Sequence, residues 1–313
     1  MTIRAGVHRL FGPADWRGET AQATWCTRDR GRGKPSLPPQ GESRLQRTPP
    51  IVTGMTTTTA DRARELQRLH SDPELLVLVN VWDVITAKVV AETPGVKALA
   101  TASHSIAASH GYPDGEVIPR DEMIAAVGRI AASVDLPVTA DLEAGYGDAG
   151  ETVRRAIEVG IVGCNLEDQL KPLADAVKAV ESAVAAGDSA GIPFVLNART
   201  DAFLRAGDKD PAAVLADAIE RGRAYLDAGA STFFVPGKLD EPTVVALVEA
   251  LGPQKVNMIA VPGAIPLARM QELGVARCSF GPWSQNVALT AYANLVESAV
   301  ALGGVPEGTR RLN

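Results

Sequence analysis

Pro137-Val138-Thr139-Ala140-Asp141-Leu142-Glu143-Ala144-Gly145-Tyr146-Gly147 is the stretch that decides the fold. Its first five residues are a short run with β-branched Val138 and Thr139 that stops on a carboxylate, and a second carboxylate follows two positions on. Gly145 and Gly147 then mark a turn, and Asp148 opens an alanine-rich helical run reaching to about residue 160. A short apolar strand, a polar turn and a capped helix make the repeating unit of a parallel sheet covered by helices.

The unit recurs on both sides. The candidate strands are Leu75–Val79, Val96–Ala100, Pro137–Asp141, Val162–Glu167, Pro193–Ala198, Thr232–Val235, Val256–Val261 and Ala276–Phe280, eight in all. Helices are predicted near 84–93, 119–134, 148–160, 172–190, 210–229, 240–251, 265–274 and 285–302. Asp210-Pro211 and Glu241-Pro242 suit first turns, and Gly160, Gly191, Gly229 and Gly274 suit helix ends. Eight units over residues 55–313 predict one α/β domain, a (β/α)8 TIM-type barrel. A doubly wound sheet fits less well, because Asn80-Val81-Trp82-Asp83 stands where its glycine-rich fingerprint belongs. A helix near 57–71, with Leu66 and Leu69 on one face, is expected to cross the barrel bottom.

Composition narrows the function. With 46% hydrophobic, 22% charged and 4% aromatic residues, the chain has the profile of a globular enzyme. A net charge of −6 offers no positive field to nucleic acid or to an anionic membrane, and no apolar run approaches the ~18 residues of a membrane span. Cys26, Cys164 and Cys278 are too few for a disulfide framework and lack zinc-ligand spacing, which fits a reducing cytoplasm. Residues 1–54 differ in kind: nine basic residues against four acidic ones give +5, so the rest carries −11. Pro38-Pro39, Pro49-Pro50 and Gly31-Arg32-Gly33 punctuate a stretch without period, expected to be a disordered basic extension. A sharper reading makes Met55 the native start.

Barrel enzymes work at the C-terminal ends of their strands. Those ends here read Thr101-Ala102-Ser103-His104 with Tyr112-Pro113-Asp114 beyond, Asp141-Leu142-Glu143, Asn165-Leu166-Glu167-Asp168 and Asn197-Ala198-Arg199-Thr200-Asp201, and Asn257 lies near the start of the seventh. On an extended backbone Asp141 and Glu143 point the same way, into the mouth. Converging Asp114, Asp141, Glu143 and Glu167 repel one another without a cation, and their all-oxygen character selects Mg2+, with Mn2+ as substitute. Asp141 is expected to touch the ion and the others to act through water. Arg199 supplies a forked charge for a substrate carboxylate or phosphonate, and the amides around Ser103 and His104 a second anion site. His104, Tyr146 and Lys171 are candidate proton donors, with purely structural roles equally open for His104 and Tyr146. Glu143 or Asp168 as plain helix caps, and Arg199–Asp201 as a surface pair, are the bland alternatives. Of Glu167 and Asp168, neighbours on one strand, Glu167 is the inward choice.

Ala102-Ser103, Gly111-Tyr112-Pro113-Asp114, Asp141 to Gly147, Leu166-Glu167-Asp168, Asn197 to Asp201 and Gly281-Pro282-Trp283, in that order, resemble the phosphoenolpyruvate mutase and isocitrate lyase superfamily over about residues 72 to 302. The resemblance implies a Mg2+-dependent barrel that makes or breaks C–C or P–C bonds through a metal-stabilised enolate. It implies Asp141 as metal ligand, Asp114, Glu143 and Glu167 as a water-mediated shell, Ser103 with its neighbours as carboxylate site and Arg199 as clamp. It also implies a homotetramer, a dimer of dimers with the last helix exchanged between subunits. One feature departs from the pattern: the lyases' Lys-Lys-Cys-Gly-His gate is missing, and Glu167-Asp168-Gln169-Leu170-Lys171-Pro172 runs almost directly into the next helix. The expected activity is cleavage of a C–C bond in a small 2-oxo or 2-hydroxy (di)carboxylate. The alternatives are P–C chemistry of the phosphoenolpyruvate mutase, carboxyphosphonoenolpyruvate mutase or phosphonopyruvate hydrolase type, a Schiff-base aldolase using Lys238, and a non-catalytic carboxylate-binding barrel.

Overall fold

The structure, a computed structural model, describes residues 57 to 312; the expectation for residues 1–54 lies outside them. Helix α1 (Thr59–Ser71) starts at a reciprocal cap in which Thr58 accepts from the Asp61 amide and Asp61 from the Thr58 amide. The alternating elements follow: β1 (Leu76–Leu78), β2 (Asn80–Val81), α2 (Val84–Ala91), β3 (Leu99–Thr101), α3 (Ser103–Ser109), α4 (Arg120–Ala131), β4 (Val138–Asp141), α5 (Ala149–Glu158), β5 (Gly163–Glu167) and α6 (Leu173–Ser189). Then come β6 (Val195–Arg199), α7 (Pro211–Asp227), β7 (Thr232–Phe234), α8 (Glu241–Leu251), β8 (Val256–Ile259), α9 (Leu267–Glu272), β9 (Arg277–Ser279) and α10 (Trp283–Val300).

All pairings are parallel, in the order β1-β9-β8-β7-β6-β5-β4-β3-β2. Since only Val79 separates β1 from β2, the two ends of that order are halves of one strand, and nine strand segments joined by eight ladders fill the eight positions of a (β/α)8 barrel. Asn80 stitches the seam: its Nδ2 donates to the Thr101 carbonyl, and its Oδ1 accepts from the amides of Phe280 and Gly281. The short helix α3 is a difference from the sequence expectation. Its Ser-His-Ser start is a weak helix signal, because serines compete for the backbone, as Ser109 does by donating to the Ser105 carbonyl.

The barrel interior has an apolar floor and a polar middle. Ala63, Leu66 and Leu69 of α1 pack beneath Leu76, Leu78, Ala98, Ala100, Val162 and Val195, so α1 does close the bottom. Above them Asn257 Nδ2 donates to Thr232 Oγ1 (2.9 Å), Thr232 Oγ1 to Asn197 Oδ1 (3.0 Å) and Asn197 Nδ2 to Asn165 Oδ1 (2.8 Å). Arg277, fully buried, reaches from the last strand to the same Asn165 oxygen at 3.2 Å. The functional rim rests on this layer.

Candidate active site

The register sets the rim. Asp141 is level with Asn165, and Glu167 with Arg199, so three charged residues stand at the C-terminal ends of neighbouring strands. Asp141 is anchored from β3 and α3: its amide donates to Thr101 Oγ1 (3.1 Å), and its Oδ2 accepts from Ser103 Oγ (2.8 Å) and the Ser103 amide (3.3 Å). Its Oδ1 is buried and has no hydrogen-bond partner.

Glu143 arrives by a different route from the one its spacing predicted. The strand stops at Asp141, and Glu143 sits in left-handed backbone (φ 52°), as does Tyr146 (φ 53°). A turn, not a pleat, therefore swings Glu143 into a buried position near Asp141. The turn is held by Glu116: its amide donates to Glu143 Oε2, while its own carboxylate accepts from the Tyr146 amide. Tyr146 Oη donates to Glu143 Oε1 at 3.5 Å. Burial, reinforced by the charge of Asp141, pushes the Glu143 carboxyl up to about 7. Burial also raises the Tyr146 phenol, with Glu143 adding to it.

Arg199 lies between two carboxylates. Its Nη1 is 2.7 Å from Glu167 Oε2, and its Nη2 and Nε are 2.8 and 2.9 Å from Asp201 Oδ1. The Asp201 side chain is only 3% exposed, so this is no solvated surface pair. Burial opposes the Arg199 charge, but Glu167, Asp141 and Asp201 outweigh it and raise the guanidinium above its ordinary value. Burial likewise lifts Glu167 to about 7, against the pull of Arg199. The guanidinium uses three of its five N–H groups here, which leaves two for a ligand.

The structure thus gathers Ser103, Asp141, Glu143, Tyr146, Glu167 and Arg199. It does not gather the rest. Asp114 is exposed on its loop and reaches Glu143 only through its charge. His104 is exposed on α3, and the Ser103 amide and hydroxyl are spent on Asp141 rather than left open for an anion. Asn257 is wholly buried in the polar middle layer, beneath the rim. Among the described residues no three His, Cys, Asp or Glu side chains stand close enough together to form a ready-made metal cluster. Cys164 and Cys278 are buried free thiols, both held above the ordinary value by burial. Sequence reasoning missed Glu116, which carries no signal beyond the preceding Gly115. It named the Arg199–Asp201 pair only as a surface contact, whereas Asp201 is a buried partner of the clamp.

A family model described as phosphoenolpyruvate phosphomutase matches residues 66–300. The 2,3-dimethylmalate lyase of Eubacterium barkeri is 29% identical over 226 residues, 67% of this chain and 75% of that protein. Among solved structures, a Burkholderia cenocepacia J2315 chain assigned provisionally as a phosphonomutase is 38% identical, covers 77% of this chain and 100% of its own, and superposes with a TM-score of 0.73. The structure of oxaloacetate acetylhydrolase in complex with the product oxalate gives 26% identity, 81% and 92% coverage and a TM-score of 0.72.

Proposed function

The chain belongs to the phosphoenolpyruvate phosphomutase family, and from that premise we propose that it is a Mg2+-dependent lyase, with Mn2+ as substitute, that cleaves a C–C bond in a small 2-oxo or 2-hydroxy dicarboxylate. The observation that carries the reading is Asp141, whose Oδ2 is fixed by Ser103 while its buried Oδ1 has no partner. An unsatisfied buried anionic oxygen is costly, and a hard cation removes that cost. The surrounding donors fit such an ion: all are carboxylate oxygens, and two of them, Glu143 and Glu167, are pushed toward the neutral form by burial without it. Magnesium takes one or two carboxylates directly and keeps its waters, which suits a rim where Asp141 Oδ1 is a buried carboxylate oxygen without a partner. Asp141 would hold the ion directly, with Glu143 and Glu167 acting through water and Asp114 contributing only its charge from the exposed loop. When bound, the ion supplies a fixed positive charge facing the oxygens of an oxo acid.

The chain's own residues provide the rest. Arg199, with two N–H groups to spare, binds and orients a substrate carboxylate, and opposes the charge that builds on oxygen as the C–C bond opens. Glu167 and Asp201 keep the guanidinium in place before substrate arrives. Burial and Glu143 keep the Tyr146 phenol protonated, so it is proposed as a hydrogen-bond donor to the substrate and not as a base. A phosphonate would suit the same clamp, and the likeness to the Burkholderia chain keeps P–C chemistry as the second reading. The test is calorimetry with MgCl2 or MnCl2 followed by oxalate, then turnover of oxaloacetate, methylisocitrate, dimethylmalate and phosphonopyruvate with and without EDTA. Absence of metal uptake, or turnover untouched by EDTA, refutes the reading.

A dimer-of-dimers with exchanged last helices is proposed on two matching features. Val287, Leu289, Tyr292 and Val296 of α10 are exposed, and so are Val77 of β1 and Val79 just beyond it. Light scattering after size exclusion tests it, a monomer being the refuting result. No helix among the described residues is long and apolar enough to cross a membrane; cytoplasmic residence is proposed from the two buried free thiols and is tested by cell fractionation.

A further inference from the structure

Directly behind the rim, on the segment where the gate is missing, lies a buried carboxylate that the proposed chemistry does not use. Asp168, 4% exposed, accepts five hydrogen bonds. On one side its Oδ1 takes the amides of Leu170 (2.9 Å) and Asp201 (3.0 Å). On the other its Oδ2 takes Thr200 Oγ1 (2.7 Å), Tyr225 Oη (2.8 Å) and Arg221 Nη1 (3.2 Å). The backbone adds to this: the Asp168 amide donates to the Arg199 carbonyl (3.0 Å), and the Lys171 amide to the Asp168 carbonyl (2.8 Å).

We infer that Asp168 is a positioning residue for the Arg199 clamp, acting through the Asp201 amide, and that it also fastens the short β5–α6 segment as a fixed wall of the site. Two geometric facts carry this. First, the chain of contacts is unbroken: Asp168 Oδ1 fixes the Asp201 backbone, and Asp201 Oδ1 in turn receives both Nε and Nη2 of Arg199. Second, Gln169 and Leu170 are consecutive non-glycine residues in left-handed backbone (φ 49° and 55°), a costly arrangement that needs an external tie. Asp168 ties one end of that turn through the Leu170 amide, and Arg221 Nη1 ties the other through the Lys171 carbonyl (3.1 Å). A gate that swings cannot be anchored to α7 by a fully engaged buried carboxylate. The clamp is therefore set before ligand arrives, which lowers the ordering cost of binding.

The two faces of the carboxylate separate positioning from mere stability. Asp168→Asn keeps one acceptor oxygen for the Leu170 and Asp201 amides and turns its NH2 toward the Thr200 and Tyr225 hydroxyls, which can accept, while losing the Arg221 Nη1 bond on that face; Asp168→Ala keeps neither face. Tyr225→Phe removes a donor from the Oδ2 face alone. The experiment measures oxalate affinity of the full chain in saturating MgCl2, thermal stability, and the exchange protection of the Arg199 Nε–H by 15N NMR. Expected for Asp168→Ala is a loss of oxalate affinity of about tenfold or more, in the range for residues that orient ligands from behind, with loss of Nε–H protection. Asp168→Asn is expected to recover most of both, and Tyr225→Phe to lower stability while both readings stay near wild type. If Asp168→Ala does not fold, Asp168→Glu, whose extra methylene displaces the acceptor from the Asp201 amide, is expected to show the same two losses. Unchanged Nε–H protection in the folded Ala or Glu variant overturns the inference, and so does an Asn variant as impaired as the Ala one. The inference rests on the proposed role of Arg199; if wild-type protein binds no oxalate with Mg2+, that role fails, while the NMR comparison still decides whether Asp168 positions the guanidinium.

Discussion

Replacing Glu143 by Gln is expected to stabilise the metal-free protein while impairing its site. Glu143 is 3% exposed, and its carboxyl stands near 7 instead of 4.5, first because of burial and then because of Asp141. The folded state thus binds the proton more tightly than the unfolded chain does. The stability it contributes is fully present below about 4.5 and is lost as pH rises through about 7. At ~1.4 kcal/mol per pH unit between those limits, the penalty reaches about 3 kcal/mol at pH 8 as an upper value and falls to roughly 1 kcal/mol at pH 5. Gln fits without strain: its carbonyl accepts the Glu116 amide, and its NH2 faces the Tyr146 hydroxyl. For a domain of this size each 1 kcal/mol moves Tm by ~2–4 °C, so a gain of about 5–10 °C is expected at pH 8 in EDTA and a small one at pH 5. The assay is thermal unfolding at both pH values, with EDTA and with MgCl2. Adding Mg2+ should raise the wild type more than the variant and narrow the gap. A variant no more stable than wild type at pH 8, or a gain equal at both pH values, would refute the reasoning, because either result means that Glu143 is not held in a repulsive pocket awaiting a cation.

Two further outcomes concern the barrel below the rim. His70 donates its Nδ1–H to the Leu66 carbonyl (2.8 Å), its Nε2 is buried without a partner, and burial with the nearby Arg277 charge drops its value to about 3. A depressed histidine contributes stability above about 6.5 that is lost as pH falls toward 3, roughly 2 kcal/mol by pH 5; urea unfolding of His70→Gln should lack this loss, and a parallel pH slope in both proteins would sink the assignment. At Gly163 an added methyl would lie 2.7 Å from the Val195 carbonyl oxygen and 2.9 Å from Leu66 Cδ2. Gly163→Ala should therefore cost about 1–3 kcal/mol in urea unfolding, and a neutral result would show that α1 is not pressed against the barrel floor.

Much of this architecture was legible because it is local. Val138-Thr139-Ala140-Asp141 reads as a strand that ends in charge whatever surrounds it, and the same holds for the segments ending at Glu167 and Arg199. The split at Val79 escaped notice because it depends on Asn80 bonding to residues 200 and 201 positions away. Glu143 reached the mouth by a left-handed turn, which no pattern of apolar and polar residues announces, so a correct neighbour came from incorrect geometry. Asp168 was set aside as the outward member of a strand pair. Its meaning appears only when Arg221 and Tyr225, 53 and 57 positions on, fold against it.

These non-local bonds share a form that bears on function. Around half of the rim, each loop is tied to the next by a carboxylate accepting a backbone amide, or by an amide donating to a neighbouring carbonyl. Ser103 ties α3 to Asp141. Glu116 ties the loop before α4 to Glu143, and the Glu167 amide donates to the Glu143 carbonyl at 2.8 Å. Asp168 then ties the β5 end to Asp201 and through it to Arg199. The belt runs from β3 to β6 without a gap and includes every gathered candidate ligand and the clamp. A site closed by a moving gate spends binding energy on closure; this one fixes its geometry through bonds already present in the folded chain. Such a site gains less from remote substrate contacts, which favours small, compact acids recognised by charge placement over extended ones recognised by enclosure.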